Sequence, residues 1–582
     1  MRLRSVYILV ACILLLAGMG FAQQGVPSLA PDAIYYNGKI VTVDKPFTIA
    51  EAFAVKGDQF VAVGKNAQVR ALAGPQTRQI DLKGHTVIPG LMDNHNHQIW
   101  HARVMHRGLE TADTKSLAEL LDRVHQASLK AKPGEVIVAS GGWSPNKWPE
   151  KHNPTRKELD DAAPNNPVFV FASGRNNAFL NSLSLQKLGI DRNTKDWGSF
   201  PILRDDATGE PTGELSGGEQ VLTADWKMLP QPTVEQQIQW LEQDQQYLHS
   251  LGLTGIRELS LPVEHMRVYM EMHKQNRLTM RVSMGLMFGA QYVDGWNPVQ
   301  MDELLSRFPG EHAGFGDDML QFDGTLAEFE ITTQRVGTLN RKPYPPNSHN
   351  VGLSIWKWPH ADWFQAIFDE QGNYYGVQRM PTDKFIEVVK KMNRDGWRPG
   401  FHISGDRALE LHLAAYEAAD KDDSIRDKRW VAEHNGGEDA EQTARLVKLN
   451  MLVSIQYQDG PFPNWIKQGL VVSSGTDWPA FDPNPFSTFS WYVTRKSPRT
   501  GELQHPEYKI SREDALRWAT NNNAYMVWRE KTRGSIESGK LADFVILSAD
   551  LLTVPDDQIK DLHPLATYVG GHEVFALAGG GF

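Results

Sequence analysis

Two histidines separated by one residue, His95 and His97, follow the apolar run that begins at Thr86. In a β-strand, residues i and i+2 project to the same face, so both imidazoles would point towards one place. Neutral imidazole binds zinc, iron and nickel, and the remaining ligands must then come from other parts of the chain. The pair predicts part of a metal site, although an isolated pair also fits two surface histidines at the end of a strand.

Three later segments end apolar runs with residues that can bind a metal. His402 ends a β-rich run that leads into a helix start, His434 ends a second run, and Asp477 ends a third. Each residue alone fits an ordinary polar group at a strand end. Together with the first two histidines, they supply four imidazoles and one carboxylate, which predicts a single metal centre.

Short β-rich runs alternate with amphipathic helical runs along the centre of this 582-residue chain, which is typical of a parallel α/β architecture. The length and the alternation predict a (β/α)₈ barrel of the TIM type over residues 88–525. In such a barrel, functional groups gather at the carboxyl ends of the strands. The stretch of about residues 101–226 is too long for one repeat, and it predicts an insertion over the active face.

Both chain ends carry strong β-strand signals. Glycine-containing turns predict hairpins around Gly38, Gly57 and Gly570. We expect residues 23–87 and 526–582 to pair into one β-sandwich that flanks the barrel.

Residues 1–22 have the pattern of a secretory signal peptide. Arg2 and Arg4 precede an apolar run, and small residues at Gly20 and Ala22 fit a cleavage site. An uncleaved membrane anchor is the alternative, which the short apolar run disfavours. We therefore expect a periplasmic or secreted protein with no membrane contact after cleavage. Since Cys12 is the only cysteine, the mature chain would hold a metal through His, Asp or Glu.

Charge and composition exclude one large class of partners. The formal net charge is −10 and the pI is about 6.0, with charges of both signs interspersed, so nothing indicates nucleic-acid binding. We expect a small-molecule substrate, and the sequence is also compatible with a homo-oligomer.

Motifs along nearly the whole mature chain resemble those of the amidohydrolase superfamily, and within it amidohydrolase family 3, which includes N-substituted formamide deformylase-like hydrolases. The motifs that carry this resemblance are Val87–His97, Gly141–Trp143, Trp148–Pro149, Pro154–Arg156, Pro211–Gly213, Gly405–Arg407, Glu433–His434, Thr476–Pro479 and Gly534–Asp543. The last motif is the family's return into the β-sandwich, so Lys540 and Asp543 are expected to be structural.

The resemblance implies a divalent metal, with zinc expected, held by the set His95, His97, His402, His434 and Asp477. The ion would lower the pKa of a bound water and polarise a substrate carbonyl. Asp477 would take the proton from that water and deliver it to the leaving nitrogen. Glu433 is a candidate for orienting a ligand imidazole. The expected reaction is hydrolysis of a C–N bond in an amide, an N-formyl or N-acyl group, or a cyclic amide.

One departure from the family pattern concerns the number of metal ions. Many relatives have a carboxylated lysine on the fourth strand that bridges two metals, whereas this chain has Leu326 at that position. Glu328 and Glu330 share strand parity with Leu326 and are candidates to replace it, but solvent-facing or salt-bridged roles fit them better. We therefore expect one ion rather than two.

Further departures concern the substrate. Relatives usually have a histidine where this chain has Asn176, and an amide can hydrogen-bond an oxyanion but cannot shuttle a proton. Relatives often place an acid at the position of Gly217. We expect Asn176 and Trp143 to contact the substrate.

Two alternatives to a C–N hydrolase stay open. Metal-activated water also attacks esters, carbamates and phosphoesters, so the pocket must select the substrate. The missing lysine and Asn176 also suit a non-catalytic binding protein on the same scaffold. The presence of Asp477 argues against that protein class, because binding alone does not need a proton acceptor there.

Overall fold

The computed structural model describes residues 30–172, 177–195, 202–287, 303, 306, 314–328, 339–344, 365–378, 381–436, 439–498 and 500–578. The expected signal peptide, Asn176 and Glu330 lie outside the described residues. Within these ranges, no helix is long and apolar enough to cross a membrane.

Eight parallel strands, each next to the following one in chain order, form the central sheet. They are β1 (Leu91–Asn96), β2 (Leu253–Leu261), β3 (Arg281–Met287), β4 (Leu320–Glu328), β5 (Gly400–Ser404), β6 (Val431–Gly436), β7 (Leu452–Ile455) and β8 (Val471–Ser474). Parallel strands joined by helices are the arrangement that the alternating sequence pattern predicts.

The two edge strands of this sheet approach each other at their carboxyl ends. The Asp477 backbone N–H donates to the His95 carbonyl at 2.7 Å, and the His97 N–H donates to the Trp478 carbonyl at 2.8 Å. Asn96 and Trp478 also form a parallel bridge. The chain that follows β8 is therefore held beside the end of β1.

Helices pack around the sheet through their apolar faces. The α-helices have the bounds Asn66–Arg70, Gln98–Met105, Leu117–Ser128, Arg156–Ala162, Ser182–Leu188, Gly218–Met228, Val234–Ser250, Val263–Lys274, Thr382–Arg394, Asp406–Asp422, Ala440–Lys448, Phe462–Gln468, Pro485–Thr494, Arg512–Ala519 and Asn521–Met526. In the helix Thr382–Arg394, the buried residues Phe385, Val389 and Met392 recur at helical spacing. The central core joins such faces to the strands of the sheet.

Strands from the two chain ends share hydrogen bonds. A six-stranded sheet has the order His572–Ala576, Pro564–Val569, Phe544–Leu547, Thr86–Pro89, Lys39–Val41 and Ile49–Ala50, and a four-stranded sheet has the order Gln59–Gly64, Ala52–Lys56, Ala33–Tyr36 and Arg78–Asp81. Phe544–Leu547 pairs antiparallel with Thr86–Pro89, which joins the C-terminal region to the N-terminal region. Tyr35 and Phe53 from the smaller sheet pack against Phe544 from the larger one.

The predicted hairpins at Gly57 and Gly570 are confirmed, because the strands on either side pair antiparallel. The predicted hairpin at Gly38 is wrong. Ala33–Tyr36 pairs with Ala52–Lys56 in one sheet, whereas Lys39–Val41 lies in the other sheet. Asn37, with φ of 59°, carries the chain from one sheet to the other. The sequence Asn37-Gly38 is typical of hairpin turns because such turns also need a left-handed backbone at this position.

The segment of residues 101–226 contains a sheet of its own. Its strands lie in the order Ile202–Arg204, Pro211–Ser216, Asn177–Leu180, Val168–Phe171 and Ile137–Ala139. Apolar side chains on both faces of this sheet form clusters separate from the central core.

Candidate metal centre

Five side chains that the sequence singles out meet where the central strands end. His95 lies in β1, His402 in β5 and His434 in β6, and Asp477 follows β8 by three residues. One ligand atom from each of His95, His434 and Asp477 lies within 4.8 Å of the other two. Imidazoles and a carboxylate at this spacing can bind one divalent ion.

His97 and His402 lie at the edges of this group. The distance from Asp477 Oδ1 to His97 Nε2 is 3.2 Å, and the distance to His95 Nε2 is 3.7 Å. The ring of His402 lies 4.1 Å from the ring of His434, measured between centroids. All five predicted residues therefore share one site.

The outer nitrogens of the first two imidazoles are held by fixed oxygens. His95 Nδ1 lies 3.0 Å from Glu433 Oε2, and His97 Nδ1 lies 2.9 Å from the Leu259 carbonyl oxygen. Each ring thereby directs Nε2 towards Asp477. The hydrogen bond to His95 is the orienting role expected of Glu433, and a carboxylate in this position also raises the basicity of the ring.

His434 is oriented by the chain that follows β7. Its Nδ1 lies 2.6 Å from Gln456 Oε1 and 3.1 Å from Gln458 Nε2. Burial lowers the pKa of His434 well below its usual range, and His402 and His95 lower it further. The ring is therefore neutral near neutral pH, the form in which imidazole binds a metal.

The residues present fit a divalent metal. His95 Nε2 is buried and, within the described part of the chain, has no hydrogen-bond partner. A buried nitrogen of this kind normally has a partner, and a metal ion is one. Burial by itself raises the pKa of Asp477, but the hydrogen bond with His97 and the charge of His95 hold that pKa below its usual range. The carboxylate is therefore ionised.

An ion-pair network lies beneath the imidazoles. Arg257 of β2 donates to Glu433 Oε1 at 2.5 Å and also pairs with Asp323, which accepts a second guanidinium from Arg398 at 2.5 Å. Burial opposes ionisation of Glu433, but Arg257, followed by His95, holds its pKa below the usual range. Glu433 therefore stays charged and can orient His95.

The loop that carries Asp477 is held by a buried carboxylate that sequence reasoning missed. Asp93 Oδ1 accepts the backbone N–H groups of His95 and Thr476 at 3.1 and 2.9 Å. Asp477 itself has a φ of 57°, and His434 has a φ of 66°. Left-handed backbone at non-glycine residues persists only where surrounding contacts enforce it, as Asp93 does here.

Other positioning groups were also missed. Glu258 accepts the backbone N–H groups of Gln98 and Ile99 at 2.6 and 3.1 Å, which caps the helix that follows His97. A charged residue at the end of the β-rich run before Leu259 was a signal for Glu258. Nothing in the sequence identified the Leu259 carbonyl, because every residue has one.

The proposed substrate contact Trp143 is buried in the segment of residues 101–226. It stacks on Trp148 at 4.8 Å and lies 5.8 Å from the ring of Phe179. Its assignment to the substrate stays a prediction, as does that of Asn176. A cavity of about 850 Å³ is lined by Trp478, Tyr247 and Gly142, the residue directly before Trp143.

The structure also places the departures from the family pattern. Leu326 is buried in β4, opposite Met287 of β3. The backbone of Glu328 lies beside that of His402, and its side chain is not described. Gly217 is the N-cap of the helix Gly218–Met228 and has a φ of 102°, a conformation that disfavours any other residue.

The fold and the site together define a mixed α/β protein with a candidate metal centre at the carboxyl ends of its parallel strands. The chain belongs to the amidohydrolase family, which residues 78–575 match. It is therefore a hydrolase with a TIM-barrel-like fold.

Several relatives match over nearly their full lengths. The chain is 23% identical to N-substituted formamide deformylase from Arthrobacter pascens, over 93% of this chain and 97% of that protein. It is 25% identical to the putative amidohydrolase YtcJ from Bacillus subtilis strain 168, over 93% and 99%. An uncharacterised metal-dependent hydrolase from Pyrococcus furiosus superposes with a TM-score of 0.65 at 21% identity, over 90% of this chain and 100% of that one, which shows a common fold.

Proposed function

We propose that this protein is a metal-dependent amidohydrolase that cleaves a C–N bond of an amide, an N-formyl or N-acyl group, or a cyclic amide. The observation that carries the proposal is the convergence of His95, His434 and Asp477 within 4.8 Å at the ends of separate strands. His97 and His402 complete the proposed ligand set. Asp477 is the proposed catalytic residue.

When bound there, a zinc ion would supply a Lewis acid for a carbonyl oxygen and lower the pKa of a water molecule. The ionised Asp477 is placed to accept a proton from the attacking water and would return it to the leaving nitrogen. Glu433 holds His95 in the orientation that this requires, at 3.0 Å from its Nδ1. Burial of His95 and His97 keeps bulk water away and so strengthens these interactions.

We further propose that this centre holds one ion. Leu326 has no ligand atom to bridge a second metal, and it is buried where a bridging lysine would lie. The proposed substrate class is supported by the name of the relative from Arthrobacter pascens, an N-substituted formamide deformylase.

The wider architecture of the mature protein is also a proposal. The backbone bridge between the end of β1 and the chain that follows β8 supports a closed eight-stranded barrel, and the aromatic packing of Tyr35 against Phe544 supports a flanking β-sandwich. The first 22 residues support export to the periplasm or the medium. N-terminal sequencing of protein from a cell fraction tests the export directly.

The function is tested with a panel of N-formyl, N-acyl and cyclic amides, with matched esters, carbamates and phosphoesters. We expect C–N hydrolysis that is lost on chelation and restored by added zinc. The variant His95→Ala/His97→Ala should lose both its activity and the zinc ion of the catalytic centre. Preferred turnover of an ester, carbamate or phosphoester would overturn the substrate class, and no turnover of any compound after zinc is added would favour a binding protein.

A further inference from the structure

A second group of two histidines and one aspartate lies outside the candidate metal centre. His101 is on the helix Gln98–Met105, His106 follows this helix directly, and Asp244 is on the helix Val234–Ser250. One ligand atom from each of the three residues lies within 4.8 Å of the other two. None of these residues belongs to the proposed catalytic set.

The three side chains converge from two directions. His101 Nδ1 lies 2.9 Å from Asp244 Oδ2, and His106 Nε2 lies 3.0 Å from Asp244 Oδ1. The two ring planes are nearly perpendicular, at 87°. Distances of about 3 Å between the ligand atoms of neighbouring residues suit a tetrahedral metal ion with metal–ligand bonds of about 2 Å.

Exposure differs between the acidic and basic members of the group. The Asp244 side chain is 3% exposed, whereas those of His101 and His106 are 18% and 25% exposed. The site is therefore closed on the carboxylate side and open on the imidazole side. A water molecule can complete four-coordination from the open side.

The charge of Asp244 needs a partner. Some other buried carboxylates are paired with guanidinium groups, as Asp225 is with Arg103 and Asp543 is with Arg281, whereas Asp93 and Glu258 accept backbone N–H groups. In the described part of the chain, Asp244 forms ion pairs with the two histidines and with no lysine or arginine. A divalent cation held between the carboxylate and the two imidazoles would compensate the charge of Asp244 directly.

We propose that His101, His106 and Asp244 bind a divalent transition metal of the zinc type, separate from the catalytic ion. The ion joins the helix Gln98–Met105 to the helix Val234–Ser250. It also fixes the ring of His101, which lies 3.8 Å from the ring of Trp478. Because Trp478 follows Asp477 directly, the second ion supports the loop that carries the catalytic carboxylate.

The test is the zinc content of the full chain by elemental analysis, after metal removal, reloading with zinc chloride and desalting into metal-free buffer. Wild type is compared with one control and with three variants: Asp244→Asn, His106→Gln, and the catalytic-centre variant His95→Ala/His97→Ala. Both single substitutions keep a polar side chain of similar size that can still form hydrogen bonds. His125→Gln is the control, because His125 is an exposed histidine whose ring contacts the Ala162 carbonyl and lies outside this group of three residues. Circular dichroism checks that every variant is folded.

We expect two zinc ions per wild-type and control chain, and one in each of the three other variants. The midpoint temperature of thermal unfolding should rise as the first equivalent of zinc binds. In wild type, but not in Asp244→Asn, it should rise again with the second equivalent. The inference is overturned if Asp244→Asn and His106→Gln both keep the wild-type zinc content. In that case loss of all zinc from His95→Ala/His97→Ala would leave the proposed function standing. The reverse pattern, zinc lost only from the Asp244 and His106 variants, would support this second site and overturn the catalytic one.

Discussion

Three imidazoles at the candidate metal centre are held by three chemically different groups. His95 contacts the carboxylate of Glu433, His97 contacts a backbone carbonyl, and His434 contacts the amide of Gln456. Only the first of these partners carries charge, so only His95 gains electrostatic basicity from its partner. Substitutions at Glu433 and Asp477 should therefore have separable effects on metal affinity and on proton transfer.

Glu433→Gln should weaken metal binding by about 10–100-fold, since it removes the charge that orients His95 and keeps the shape of the side chain. Competition with a chromogenic chelator measures the affinity. Glu417→Gln is the control, because Glu417 lies on the helix Asp406–Asp422 and forms a partly exposed ion pair with Arg445. Equal affinities in the two variants would contradict the orienting role.

Asp477→Asn should lower kcat by about 10²–10⁴-fold, because an amide cannot accept the proton of the attacking water. The imidazoles should still retain zinc, which elemental analysis can verify on the same sample. A steady-state assay with the best substrate of the amide panel gives kcat and KM. Wild-type turnover in this variant would rule out Asp477 as the general base.

At the scale of elements, the centre depends on the close approach of β8 to β1. Gly475 lies between them, and a Cβ atom there would lie 2.7 Å from the backbone nitrogen of His95 and 2.8 Å from Asp93 Oδ1. Asp93 Oδ1 accepts the backbone N–H groups of both His95 and Thr476, and it so holds the loop of Asp477 in place. Glycine is therefore needed at this position for its small size rather than for its backbone freedom.

Gly475→Ala should destabilise the protein by about 1–3 kcal/mol and should also reduce zinc retention and turnover, because the two strands must separate. Gly469→Ala is the control. A Cβ at Gly469 meets no described atom within 4 Å, so that variant should lose about 1 kcal/mol through its φ of 80° and keep its activity. Thermal unfolding and the amide assay report the two effects. Full activity in Gly475→Ala would show that the approach of β8 to β1 does not set the site.

At the scale of the whole molecule, buried polar contacts tie the central sheet to the C-terminal strands. Arg281 of β3 binds Asp543 through two hydrogen bonds of 2.6 and 2.8 Å, which confirms the structural role expected of Asp543. His249 is bonded to the Leu253 carbonyl at 2.9 Å, and its own carbonyl accepts from Thr567 at 2.8 Å. These contacts make the stability of the regions interdependent.

His249 should make stability depend on pH. Burial lowers its pKa from 6.5 to about 4, so between these values the unfolded chain takes up a proton that the native protein does not. Stability should therefore fall as the pH drops from 6.5 towards 4, by about 3 kcal/mol in total from this residue. The midpoint temperature of thermal unfolding should depend less steeply on pH in His249→Gln than in wild type across this range. His273, whose side chain is 38% exposed, offers a control as His273→Gln. The same dependence of stability on pH in wild type and His249→Gln would contradict the prediction.

Local residue type and spacing were enough to predict the alternating α/β architecture and to select five residues that lie together at the candidate metal centre, with Glu433 in contact with His95. Strand ends and His-x-His spacing are short-range signals, and parallel strands bring their carboxyl ends together whatever the details of packing. The hairpin predicted at Gly38 was wrong because the local signal is ambiguous. A left-handed Asn37 fits both a hairpin and a crossing between sheets.

The sequence by itself determined which chemical groups the site contains, because histidine and aspartate are visible as residues at the ends of apolar runs. Only the tertiary structure decided what each group touches. Glu433 is 338 residues from His95 along the chain, and Thr476 is 383 residues from Asp93. Contacts over such separations depend on how strands and helices pack, which residue type alone does not specify. The pairing of Asp244 with His101 became visible in the same way, once two helices were placed side by side.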